Sequence, residues 1–424
     1  MSDLVTMRKF ANPFIAAMLG CAALALVCDS AFAAEPARFD ISQLGAIADG
    51  RTVNTKAIQA AIDQCAAGGG GMLVVPRGEF ISGSLFLKPG VNVELLEGAV
   101  LKCSPNPQDF EVRNGVRVEG HFARWCSGLL NAERTDHLRI TGPGMLNGNG
   151  PAYWSARTPL GRPRLCVIRD SSDCVVGGVQ FVSSASWNLL FFDCKDVTVE
   201  NSRFEILDSE KGPSTDGTDV DSCQNVTIRG CLYSVNDDCV CIKGNRYDGL
   251  NQEPASPPVS HVRVTNCTFR RGQGALSLGT EATEIRDIEM DHCAVMGNMP
   301  MLRLKMRPDT PGQDYQNIRV HDLKLDGRGS ILSFELLHGT KVPPKPPRAV
   351  IGNISVSDIT GTFGSFGTIA NNPNTDISGV LLRNINVSLS GTAGLNANGA
   401  RELTFDNVMV NGTRMSGADP TTKP

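Results

Sequence analysis

The chain has 424 residues, a formal net charge of −4, 41% hydrophobic and 20% charged residues. These fractions exclude a disordered chain, and the near balance of Lys+Arg 40 against Asp+Glu 44 excludes a basic stripe for nucleic acid. Length alone predicts two or three globular domains, yet Gly is high at 44, aromatics are low at 6% and Cys reaches 14.

At the N-terminus, Arg8 and Lys9 precede an apolar stretch from about Phe14 to Val27, then Ala31-Phe32-Ala33. This order predicts a signal peptide over 1–33, cleaved after Ala33, and an exported protein, periplasmic or extracellular. The stretch is too short and too interrupted for a membrane span, and no later run is long enough. Next, Asn54 or Thr55 is placed to cap a helix, with Ala57, Ile58, Ala61, Ile62 and Cys65 at helical spacing. Such a helix would cover an open end of a repeat stack.

A short pattern, apolar-x-apolar-x-polar-apolar-x-apolar, then recurs. It appears as Val197-Thr-Val-Glu-Asn-Ser-Arg-Phe204, and again from Val226, Val262, Ile288 and Ile318. Weaker copies begin near Leu138, Val175, Ile354, Val380 and Leu403. From Val175 onward successive starts lie 22 to 36 residues apart. Each copy alternates with period 2, and its mid-pattern polar pair marks a bend. One strand signal per repeat with no helical period between predicts a stacked solenoid. The expected fold is all-β: a right-handed, single-stranded parallel β-helix spanning 34–413, with about 34–100 as cap and first coils and 414–424 as a flexible tail. The narrow core leaves little room for large aromatics. Cys231, Cys267 and Cys293 share one column, which predicts an inward ladder of small hydrophobes in preference to a disulfide framework.

The densest acidic stretch is Ser214-Thr-Asp-Gly-Thr-Asp-Val-Asp221, followed by Asn236-Asp-Asp-Cys239. Asp216 and Asp237 are one short coil apart, so Asp216, Asp237 and Asp238 are expected to converge on one face. Glycosidic hydrolysis needs such a set, with one protonated acid and one base for water. Crowded like charges raise one pKa and keep that acid protonated. Two other readings fit these residues: solvated turn acids, and a calcium site.

Gly272-Gln273-Gly274, within a stretch ending at Glu281, lies one coil on, and Arg303-Leu304-Lys305 one coil further. With Ser214-Thr215-Asp216 and Asp237-Asp238, these stand in the order of four motifs of glycoside hydrolase family 28. Leu44-Gly-Ala-Ile-Ala-Asp-Gly50 resembles that family's usual start. The resemblance covers nearly the whole mature chain and is to the pectin-degrading polygalacturonases and rhamnogalacturonases. It implies an inverting hydrolase of pectic polysaccharide or oligosaccharide, working without a cofactor or metal, as a monomer. By resemblance Asp237 is the general acid, and Asp216 and Asp238 hold and activate water. Arg303 and Lys305 bind sugar; Gln273, Lys243, Glu281 and His338 are further substrate-binding candidates. The family has His where Gln273 stands. Gln does not titrate, which points toward a linkage other than homogalacturonan. The rival activities are a calcium-dependent pectate lyase and a non-catalytic carbohydrate-binding β-helix. Trp187 is a candidate to stack on a sugar or to pack in the core. Segments 245–258 and 343–347 interrupt coils and are placed to border the site.

Overall fold

The computed structural model describes residues 36–155, 160–245, 256–307, 310, 313–336, 348–370, 375–398 and 400–415. The expected signal peptide, His338, the insertion 343–347 and most of 245–258 lie outside the described residues. So do residues 416–424; before them Thr413–Arg414 folds back antiparallel on Ala400–Val410, and Met415 packs on the core. From Pro36 onward the chain forms one compact unit. Among the described residues no helix is long and apolar enough to cross a membrane.

The repeat builds the walls of a parallel β-helix. Val197 pairs in register with Val226, Val226 with Val262, Val262 with Ile288, and Ile288 with Ile318. All five are buried, so period-2 alternation feeds one apolar row into the core. The bend is a backbone device. Asn201, Gly230, Asn266, His292 and Asp322 occupy the same pattern position, each with φ between 50° and 64°. Left-handed backbone at one residue turns the strand, and Asn, Asp and Gly tolerate it best. From Asp314–Asp326 onward the two segments run on as one strand through that residue.

A third sheet escaped the pattern. Its eleven parallel strands are β1 (Leu85–Leu87), β2 (Leu130–Glu133), β3 (Cys166–Arg169), β4 (Leu189–Phe192), β5 (Thr218–Asp221), β6 (Asp238–Lys243), β7 (Gly274–Leu278), β8 (Leu302–Met306), β9 (Ser330–Leu336), β10 (Ser365–Ile369) and β11 (Leu395–Asn396). β4, β5, β6 and β7 are buried at every position, so exposure does not alternate along them. Period 2 does not report such strands.

The core differs from expectation in one respect. Phe181, Phe204, Tyr233 and Phe269 stack on successive coils, with centroids 4.7, 4.8 and 5.3 Å apart. The coil spacing is close to an aromatic stacking distance, so a column of rings fits where a single large side chain would crowd. Cys231, Cys267 and Cys293 are buried in a column, and all twelve described cysteines are free thiols. The helix, α1 (Thr55–Ala67), buries Ile58, Ala61, Ile62 and Cys65. Neither proposed residue caps it by its side chain. Asn54 instead accepts from Ile47 N at 2.7 Å and donates to the Ile47 and Thr52 carbonyls, while Thr55 Oγ1 accepts from Gly83 N at 2.7 Å. The end of the stack claims both side chains.

Candidate active site

From β5 to β8 the inward residues of the third sheet are mainly apolar and the outward ones carry chemistry. Asp219, Cys241, Ser277 and Arg303 follow one another in register across β5 to β8. Asp221 pairs with Lys243, and Lys305 with Glu335, in a neighbouring outward row. Asp216 and Asp237 sit just before β5 and β6. The Gly217 amide donates to the Asp238 carbonyl at 2.9 Å, which fixes the two turns on adjacent rungs. A carboxylate oxygen of Asp216, one of Asp238 and the Cys241 thiol lie within 4.8 Å of one another. Asp216 and Asp238 therefore converge, and Asp237, next to Asp238 in the chain, is close enough for its charge to act on Asp216.

Their surroundings differ. Asp238 is fully buried and saturated: Ser277 donates to Oδ1 at 2.7 Å, Arg303 Nη1 approaches the same oxygen at 3.4 Å, and Lys305 bonds Oδ2. Burial favours its neutral form, but Lys305 and Lys243 outweigh that and hold it down to about 2. Asp237 is partly exposed; its Oδ1 accepts from the Asp238 amide at 3.0 Å. Burial, then the adjacent Asp238 charge, raise its pKa above the ordinary carboxylate value. Asp216 is pushed well above that value by burial and by Asp219 and Asp237, with Lys243 opposing.

Lys243 lies beneath this group, not in the opening where a sugar-binding lysine would sit. Its buried Nζ is 3.6 Å from Asp216, 3.6 Å from Asp219 and 3.8 Å from Glu281. Burial would discharge it; Cys241, Asp216, Asp219 and Glu281 reverse that and keep it charged. Glu281 is also buried, bonded by Thr280 and 3.5 Å from Arg307. Trp187 is buried too: its ring carries Lys243 Nζ at 4.7 Å and the Arg164 guanidinium at 4.2 Å. Gln273 is exposed. Its amide donates to the Asp237 carbonyl at 2.9 Å, and its side chain reaches Asn236 O at 3.4 Å and Arg303 Nη1 at 3.5 Å. Arg303 also donates to Glu335 at 2.6 Å.

Asp216, Asp238 and Cys241 have the donor types of a cation site. Lys305 already sits on Asp238 and Lys243 faces Asp216. Two ammonium groups at these carboxylates disfavour a calcium ion by charge and by geometry.

Sequence reasoning missed several members. Asp219 stood inside the quoted acidic stretch without a role. It is fully buried, both carboxylate oxygens lack a hydrogen-bond partner among the described residues, and burial pushes its pKa up to about 7. Its outward position, two residues before Asp221, was the available signal. Ser277, Glu335 and Arg164 had none, since their roles depend on rung register. Chemically, one carboxylate held ionised beside two held toward protonation can deliver a proton and accept one.

A family model described as glycosyl hydrolases family 28 matches residues 91–414. The chain is 24% identical to an exopolygalacturonase of Zea mays over 84% of each chain. It is 25% identical to an exo-poly-alpha-D-galacturonosidase of Dickeya chrysanthemi, over 91% of this chain and 73% of that one. Its fold superposes on a hyperthermoactive exopolygalacturonase of Thermotoga maritima with a TM-score of 0.79, covering 90% of this chain and 94% of that one at 22% identity. A right-handed parallel β-helix with this cluster on its outward face thus carries the family's match over most of its length, and the chain belongs to glycosyl hydrolase family 28, whose members hydrolyse O-glycosyl bonds.

Proposed function

We propose that this glycosidase cleaves acidic pectic chains with inversion, after export and cleavage behind Ala33. The observation that carries the reading is the asymmetry within one cluster: Ser277, Arg303 and Lys305 close on Asp238 and hold it down to about 2, while Asp237, partly exposed, and Asp216 are raised. Asp237, the more accessible acid, protonates the glycosidic oxygen. Asp216 takes the proton of the attacking water in the fraction of enzyme in which Lys243 keeps it ionised, and its raised pKa makes it the stronger base there. Asp238 helps hold that water and keeps a fixed negative charge beside Asp237, which favours the protonated acid. Arg303 and Lys305 border the acids as cations, and a uronate carboxylate at the cleavage point would meet them. The names of the relatives favour a galacturonide substrate. The test is incubation with galacturonate oligomers and rhamnogalacturonan, followed by NMR of the first product. The inverted anomer of one substrate is expected. Unsaturated ends, or a retained anomer, would overturn the mechanism.

Gln273 sets a second expectation. It bridges the turn bearing Asp237 to Arg303 without a titrating group of its own. The alkaline limb of kcat/KM therefore belongs to the carboxyl cluster. A Gln273→His variant should add a limb near the ordinary imidazole value of about 6.5. An unchanged profile in a variant that still hydrolyses would show that position 273 is electrically remote from the acid.

A further inference from the structure

Beside the acid cluster lies a cavity of about 540 Å³ that none of Asp216, Asp237 and Asp238 lines. Its floor is the outward face of the first strands, with Phe86, Asn131 and Val167 in successive register on β1 to β3. Its other wall is an antiparallel hairpin, Val112–Val118 with His121–Cys126. Two features of the hairpin make it a rigid wall. Arg117 forms a buried two-point ion pair with Asp221 at 2.8 and 3.0 Å and donates to Gly244 O at 2.8 Å. Arg169 on β3 donates to Gly115 O at 3.1 Å.

The lining carries five arginines against Glu111 and Glu133, and three of them have an acid close by: Arg113 lies 3.7 Å from Glu111, Arg134 3.0 Å from Glu133 and Arg169 3.2 Å from Asp170. Arg117 is spent on Asp221. Arg164 has Asp219 as its main counter-charge but no close ion pair among the described residues: it is buried, its Nη1 bonds the Arg117 carbonyl at 2.7 Å, and its Nε has no hydrogen-bond partner among them. A buried guanidinium N–H without an acceptor is costly and calls for one. Arg113 lies over the Phe86 ring at 5.1 Å, a cation beside an apolar face. A sugar acid presents the complementary pair, a carboxylate beside an apolar C–H face.

Arg164 also ties the cavity to the acids. Its guanidinium lies on Trp187, whose ring carries Lys243, the cation of Asp216 and Asp219. At ~4.8 Å per rung, the cavity floor is roughly 10–24 Å along the stack from the acids. A chain of sugars lying along this outward face would reach both.

We infer that the cavity beneath the hairpin is a distal subsite for the carboxylate of a uronate residue, with Arg113, Arg164 and Arg169 as specificity determinants. The inference rests on the reading of the site as a hydrolase of acidic sugar chains. It makes de-esterified substrate a requirement at a position remote from the bond cleaved.

The test uses the full chain carrying Asp237→Asn, so that oligomers bind without turnover. Galacturonate oligomers of two to five residues and their methyl esters are titrated by calorimetry. Affinity should step up at least about tenfold once the chain is long enough to reach the cavity, and the esters should show no such step. Arg113→Gln with Arg169→Gln should erase the step. Both side chains are partly exposed, and Arg113→Gln alone serves if the pair lowers the melting temperature. A step that survives these substitutions, or that the esters share, overturns the subsite. If the unsubstituted enzyme cleaves none of the oligomers, the substrate reading fails as well, and that outcome is distinct.

Discussion

Replacing Asp237 by Asn is expected to lower kcat by about 10²–10⁴-fold, the usual worth of a positioned proton donor. The side chain is partly exposed and its one mapped bond comes from the Asp238 amide, which an amide oxygen can also accept. Melting temperature and KM should therefore change little. Asp237 must be protonated to act, so activity should decline as pH rises through its folded pKa, which lies above the ordinary carboxylate value. Asp238, held down to about 2, stays ionised through that range. Substituting Asp238 by Asn removes the charge that raises Asp237, so the alkaline limb of the residual activity should move to lower pH. Because the acids are close, the measured limbs describe the cluster as a unit. A normal kcat in the Asp237→Asn enzyme would remove it from the role of acid.

The Lys243→Met variant is expected to lose about 3–5 kcal/mol of stability, since removing one member of a buried ionic group strands the others. Lys243 is the one cation within 4.0 Å of either Asp216 or Asp219 among the described residues, and it also faces Glu281. The loss should depend on pH in a definite sense. Asp219 folds with a pKa of about 7, above its unfolded value of 3.8. Between those values the folded state keeps a proton that the unfolded state has released, so stability falls as pH rises through this window. Without Lys243 the folded pKa rises further and the fall steepens. Melting curves from pH 5 to pH 8 should thus separate wild type and variant more at pH 8. An equal difference at both ends would show that Lys243 acts through packing alone.

The walls of the solenoid were legible because their strands have one wet face and one dry face. Val197, Val226, Val262, Ile288 and Ile318 announce themselves by alternation, and the left-handed residue at each bend is of a type that tolerates it. The third sheet was not legible by the same rule. β4, Leu-Leu-Phe-Phe, and β5, Thr-Asp-Val-Asp, share a burial pattern and nothing else in sequence. Asp219 and Asp221 are buried because the hairpin, Lys243 and Arg117 cover them, and none of those neighbours is near in the chain.

The site divides in the same way. Local motif and repeat period brought Asp216, Asp237 and Asp238 together, since one coil separates them and their turns recur at one height. Arg303 and Lys305 followed from the next coils. The charge state of each group did not follow. Asp237 and Asp238 are neighbours in sequence with opposite shifts, because Ser277, Arg303 and Lys305 contact Asp238 directly and the charge of Lys305 at Asp237 is outweighed by burial and by Asp238. Lys243 read as a substrate ligand is instead a buried counterion, and Trp187 is a spacer between two cations.

From its residues alone, the chain determines a column of coils, a face on which three aspartates meet, and membership of a family of glycosidases. Periodicity and spacing carry that information because a solenoid converts distance along the chain into height along an axis. The tertiary structure alone decides which carboxyl is a fixed anion, which is raised, and where a cationic cavity opens beside them. Those properties come from desolvation and from charges on other coils, and an ionisable side chain acquires them only when its neighbours close around it.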